Sequence, residues 1–146
     1  MSLDNLVGRT LEKIDPDASV IKRLLSSAKR NIADAHVMEI SSENRFDVAY
    51  KAIMQLSNAV LQANGFRTLT NKPGHHMTMI QVLSQTIGLD KDTVIVLDAL
   101  RKQRNVADYS GDIVPASAVD ECVKHAENLL HDVNHWLKEN KPELIE

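Results

Sequence analysis

The run Arg101-Lys102-Gln103-Arg104-Asn105-Val106-Ala107-Asp108-Tyr109 gathers a planar cation, an amide, a carboxylate and a phenol within a few helical turns. That set suits an anion. A guanidinium forks onto phosphate oxygens in two parallel hydrogen bonds, and an amide and a hydroxyl add further polar contacts. Arg104 falls where the apolar stripe Val94, Leu97, Leu100 would continue, so it points toward a helix seam, where a cation needs a partner or a ligand. Arg101, Arg104, Asn105 and Tyr109 are therefore the candidate ligand-binding residues. The competing reading is structural: Arg104 pairs with Asp98, Asp108 or a carboxylate of another helix, while Asn105 and Tyr109 cap backbone groups. Arg101 and Lys102 read as helix-end charges that favour the C-terminal dipole.

The histidines offer a second kind of chemistry. His75 and His76 are neighbours in sequence, so on a helix they diverge by about 100° and do not readily share one metal ion. They read as turn or capping residues, and with Arg104 they are also the candidates for acid–base work, because imidazole titrates near neutral pH. His131 and His135 lie one helical turn apart, but no third ligand is placed beside them, so they read as surface histidines and neither a metal nor a cofactor is expected. Cys122 is the single cysteine, which excludes an internal disulfide and a thiol cluster. With Val119, Val123 and Ala126 it reads as a small core side chain.

Elements able to position these groups are almost all helical. Of 146 residues, 43% are hydrophobic and 25% charged, with Gly only 5 and Pro only 4, the balance of one helical domain with one core. Leu3, Leu6, Val7, Leu11 and Ile14 predict a short first helix over 1–15, stopped at Asp15-Pro16. Ile21, Leu24, Leu25, Ala28, Ile32 and Ala35 stripe a second helix; Phe46, Ala49, Tyr50, Ile53, Leu56, Val60 and Leu61 stripe a third, from Ser41-Ser42 to Asn64-Gly65. Phe66 to Lys72 reads as polar connection. Met77, Ile80, Leu83 and Ile87 predict a helix entered through Pro73-Gly74. Val94, Leu97 and Leu100 predict the next, closed by a turn at Tyr109-Ser110-Gly111-Asp112. The last long helix opens at Pro115 and carries Val119 to Leu137, and 140–146 should be a frayed tail. The expectation is an all-α fold, an antiparallel up-and-down four-helix bundle with one or two extra short helices.

Net charge of −3 gives no global attraction to nucleic acid, so phosphate binding would need a local patch. Two Tyr, two Phe and one Trp are too few for a base-stacking platform. Besides Arg101-Lys102-Arg104, positive charge collects at Lys22-Arg23 and Lys29-Arg30, either a solvated helix face or, on the same side as Arg104, a phosphate-binding strip. Met1 to Asn5 lacks the basic-then-apolar layout of a signal peptide and no run reaches membrane-spanning length, so a cytoplasmic protein without a membrane partner is expected.

The stretch 42–137 resembles a HEPN domain, a helical module linked to RNA and nucleotides. Asn44-Arg45-Phe46-Asp47-Val48-Ala49-Tyr50-Lys51-Ala52 with Ala59 and Asn64-Gly65, then Gly74-His75-His76 with Ile80 and Leu83, then Leu100 to Tyr109, and finally Val119 to Leu137 are similar to its successive helices. Ribonuclease members pair the arginine of the third motif with a histidine that here would fall at 109, 110 or 111. Those positions are Tyr109, Ser110 and Gly111. Tyrosine is a far weaker base at neutral pH. The resemblance thus implies the fold, a homodimer, and a binding module for RNA, a nucleotide or a nucleotidyltransferase-type protein partner, as in toxin–antitoxin pairs, that leans away from being an enzyme. The alternatives are a metal-independent ribonuclease toxin using His75 or His76, and a purely structural protein-interaction bundle in which Arg104 is a buried ion-pair residue.

Overall fold

A computed structural model describes residues 3–71, 73–111 and 114–146, without the side chains of 108–110. Helices dominate: α1 (Ala18–Ala35), α2 (Ser42–Ala63), α3 (His75–Gln81), α4 (Leu83–Thr86), α5 (Lys91–Ser110) and α6 (Ala116–Asn140). The long ones begin where the sequence offers cap chemistry. Asp17 accepts from the Ser19 amide at 2.9 Å, Ser41 from the Asn44 amide at 3.2 Å and Asp90 from the Thr93 amide at 2.8 Å, each satisfying an orphan donor of a first turn. Pro115 precedes α6, and Gly111, at φ 70°, closes α5.

Helix α2 is the centre of the molecule. It packs along α1 on one side and α6 on another, and also meets α3 and α5. Phe46, Ala49, Ile53, Leu56, Val60 and Leu61 are wholly or almost wholly buried, against Ile21 and Ala28 of α1 and Val119, Cys122 and Val133 of α6. Burial on nearly every side explains why α2 carries so many small residues. Ala49, Ala52, Ala59 and Ala63 let its neighbours approach closely.

Several expectations are corrected. Leu3 to Ile14 does not form the expected helix: a 3-10 turn spans Leu3–Leu6, and Leu11–Lys13 is a strand, β1. Gly8, at φ 84°, breaks the helical path. Phe66–Thr68, expected as polar connection, forms β2 and pairs antiparallel with β1, Leu11 opposite Thr68. Leu11 is fully buried by that pairing, so the fold is mostly helical with one small two-stranded sheet rather than all-α. The helix after Gly74 is divided at Val82 into α3 and α4. Helix α5 runs on to Ser110, through part of the expected turn, and Asp112 lies outside the described residues. The tail is not frayed. Pro142–Leu144 forms a 3-10 turn, Leu144 is 9% exposed within the core, and the Lys22 ammonium donates to the Glu146 carbonyl. Among the described residues, no helix is long and apolar enough to cross a membrane.

Candidate functional site

Four helices converge on a cleft of about 380 Å³ walled in part by Leu24 of α1, with polar lining from Asp47, Tyr50 and Lys51 of α2, His76 of α3 and Arg104 of α5. The α2 residues share a face because they lie at three- and four-residue steps, continued by Gln55 and Asn58. His76 sits in the first turn of α3, which Gly74 enters in the left-handed conformation at φ 77°, a backbone that side chains other than glycine adopt only with strain. Arg104 is presented from the penultimate turns of α5, where the apolar stripe gives out.

The geometry links these groups in a chain. Arg104 Nε donates to Asp47 Oδ1 at 3.3 Å, and the guanidinium carbon stands 5.5 Å from the centroid of the Tyr50 ring, within cation–π range. The Tyr50 hydroxyl lies 3.2 Å from His76 Nδ1, and His75 packs edge-on against the His76 ring at 4.9 Å between centroids. Arg104 and Asp47 keep 31% and 50% of their side-chain surface exposed. A pair so open to water contributes little to stability, about 0–1 kcal/mol, and leaves the cation within reach of a competing anion.

Burial governs the protonation states. It pushes the Tyr50 phenol up to about 12, against the opposing pull of Arg104 and Arg101. Burial, followed by the charges of His75, Arg104 and Arg101, holds His76 below its ordinary 6.5. Both groups are uncharged at neutral pH. The direction of the hydrogen bond between the phenol and Nδ1 follows the tautomer of the neutral imidazole. In either tautomer Nδ1 is engaged by the phenol, and Nε2 is the ring nitrogen left to an incoming group.

The sign of the His76 shift sets a pH dependence. A folded-state value below the unfolded one contributes stability above about pH 6.5 that is lost as pH falls, because the unfolded chain takes up the proton first. Thermal melts from pH 7 to pH 5 should therefore show the wild-type melting temperature falling relative to that of His76→Gln. Parallel curves would mean that His76 is not held neutral by the fold.

Of the expected ligand-binding residues, the structure brings Arg104 to the cleft and joins to it His76 but not His75. Arg101, expected as a helix-end charge, is instead 16% exposed and donates to Asp98 Oδ1 at 2.8 Å, with Lys102 Nζ 3.5 Å from Oδ2 of the same carboxylate. Burial pushes the Asp98 carboxyl up, but Arg101 and Lys102 outweigh it and hold it below its usual range. Asp98 is thus Arg101's partner, and Arg104 takes Asp47. Asn105 is half-buried and does not line the cleft. The side chains of Asp108 and Tyr109 lie outside the described residues.

Sequence reasoning missed the α2 face. Tyr50 was legible only as core, and it is 2% exposed; what its place in the stripe hides is the hydroxyl at the cleft. It also missed Arg45, 7% exposed, whose Nε donates to the Ala35 carbonyl at 2.7 Å and ties the end of α1 to the start of α2. Elsewhere, His131, Asp132 and His135 line a surface depression beside Asp90, and among the described residues no group of three or more His, Cys, Asp and Glu side chains is arranged to hold a metal ion. Cys122 is fully buried, its thiol faces the Phe46 carbonyl at 3.9 Å, and burial pushes it up to about 12, an unreactive core cysteine as expected.

Fold and cleft together define a helical protein with a partly apolar cleft lined by Arg104, Lys51, His76 and Asp47. No protein-family model matches the chain, and no curated protein matches it in sequence.

Proposed function

We propose that this chain is a HEPN-type binding module whose Arg104 cleft holds a phosphate of RNA or of a nucleotide without cutting it. The observation that carries this reading is the placement of Arg104: a part-exposed guanidinium braced on the Tyr50 ring, paired with the exposed Asp47 carboxylate and flanked by His76 and Lys51. A phosphate arriving there exchanges Asp47 for a bidentate contact with Arg104 and comes to lie beside His76 and Lys51. In this reading the long helices α1, α2, α5 and α6 form an antiparallel four-helix bundle, and the protein is a cytoplasmic homodimer or the partner of a nucleotidyltransferase-type protein. Ile95 and Val106 expose 66% and 56% of their surface on α5, the helix that carries Arg104, which supports that helix as the face that docks.

A ribonuclease reading has one observation in its favour, the presence of His76 in the same cleft as Arg104. Against it stands the protonation state. Cleavage needs one group to take the 2′-hydroxyl proton and another to protonate the leaving oxygen. An imidazole held neutral has no acidic proton to give the leaving oxygen, and its Nδ1 is engaged by the Tyr50 phenol. Mixed RNA incubated with the protein in excess EDTA is expected to remain intact while shifting in a native gel. Cleavage that disappears in both His76→Gln and Arg104→Ala would establish the enzyme instead.

A further inference from the structure

The Arg104 cleft does not end at α2. Its wall includes Leu24 of α1, and Leu24 also lines a shallow groove of about 440 Å³ along the outer face of α1, with Arg23, Ser27 and Arg30. The two are joined by side chains as well: Gln55, in the wall of the cleft, donates from Nε2 to Ser27 Oγ at 2.8 Å and accepts from Asn31 Nδ2 at 2.8 Å. Arg23, Arg30, Lys51 and Arg104 therefore line two adjoining depressions that share Leu24, opposed among the described lining residues by a single acid, Asp47. Lys22 also borders the groove, but the Glu146 carbonyl engages it, and Asp17 at the start of α1 bears on Arg23. This concentration of positive charge is local, in a chain whose net charge is −3.

Resting on the phosphate-binding reading of Arg104, we propose that α1 supplies a second phosphate subsite at Arg23 and Arg30, so that the ligand is a single strand bearing several phosphodiesters rather than a lone nucleotide. Seven residues of helix separate the two arginines, about 10 Å along the axis, more than one phosphate group spans. The floor between them and Arg104 is Leu24, Ser27 and Gln55, apolar and amide surface over which a flexible strand passes without meeting a carboxylate. The recognised chemistry is the phosphodiester backbone, common to RNA and DNA.

The test compares wild type, Arg23→Ala/Arg30→Ala and Arg104→Ala, each titrated with a labelled twelve-nucleotide single-stranded RNA, its DNA counterpart and AMP. The double variant is expected to bind both oligonucleotides about tenfold more weakly, with AMP affinity unchanged. Its slope of log affinity against log salt should be shallower by about 1.4, the loss of two single-strand phosphate contacts. Oligonucleotide affinity and slope unchanged in the double variant, with Arg104→Ala still weakening both oligonucleotide and AMP, would overturn the second subsite and leave the cleft standing. Loss of neither ligand in Arg104→Ala would remove the underlying reading itself. Competition by poly-glutamate as effective as by the unlabelled oligonucleotide would overturn the proposal in favour of an acidic protein partner.

Discussion

Phe46→Ala is expected to lower the unfolding free energy by about 3–5 kcal/mol, the cost of emptying a large aromatic site in a core that cannot fully collapse. Phe46 is 1% exposed, in the first turns of α2, and its carbonyl faces the Cys122 thiol on α6. Its neighbours in the cluster are held by other helices, so the cavity stays open. The effect should also reach the cleft, because Asp47 follows it directly and Tyr50 lies one turn on. Urea unfolding of the variant checks the magnitude. A loss below about 1 kcal/mol would mean that α2 does not anchor the core here.

Arg104→Ala is the second large effect, and it should appear in binding rather than in folding. Hydrogen bonds to a charged partner contribute about 1.5–3 kcal/mol, so affinity for a phosphate-bearing strand should fall about 10- to 100-fold. The exposed pair with Asp47 and the contact over Tyr50 each contribute on the order of 1 kcal/mol or less to stability, so the melting temperature should drop by only a few degrees. Asp47→Asn separates the binding role from a structural one. Removing that carboxylate takes away the anion that Arg104 holds from α2, and affinity should rise.

The long helices were legible because their stripes are long and their start signals agree with them: Ser41 and Pro115 stand where α2 and α6 begin. The small sheet was not, since Leu11–Lys13 and Phe66–Thr68 are too short to show alternation and pair across more than fifty residues. The docked tail escaped because a lone Leu144 among charged neighbours shows no period. Arg104 stood out as a cation in an apolar stripe. Its partners did not, because Asp47 and His76 belong to other helices, and the periodicity of one helix says nothing about which face of another it meets. Arg101 shows the converse. One turn earlier in α5, it is turned toward Asp98, and sequence position alone makes it look like an end charge.

The most direct measurement is an equilibrium titration of a labelled single-stranded RNA with wild type, Arg104→Ala and Asp47→Asn at one salt concentration, each variant first matched for melting temperature. Phosphate binding in the cleft predicts opposite movements, a weakening of about 10- to 100-fold for Arg104→Ala and a tightening for Asp47→Asn. Affinity that stays the same in both variants would contradict it and leave Arg104 and Asp47 as a surface ion pair.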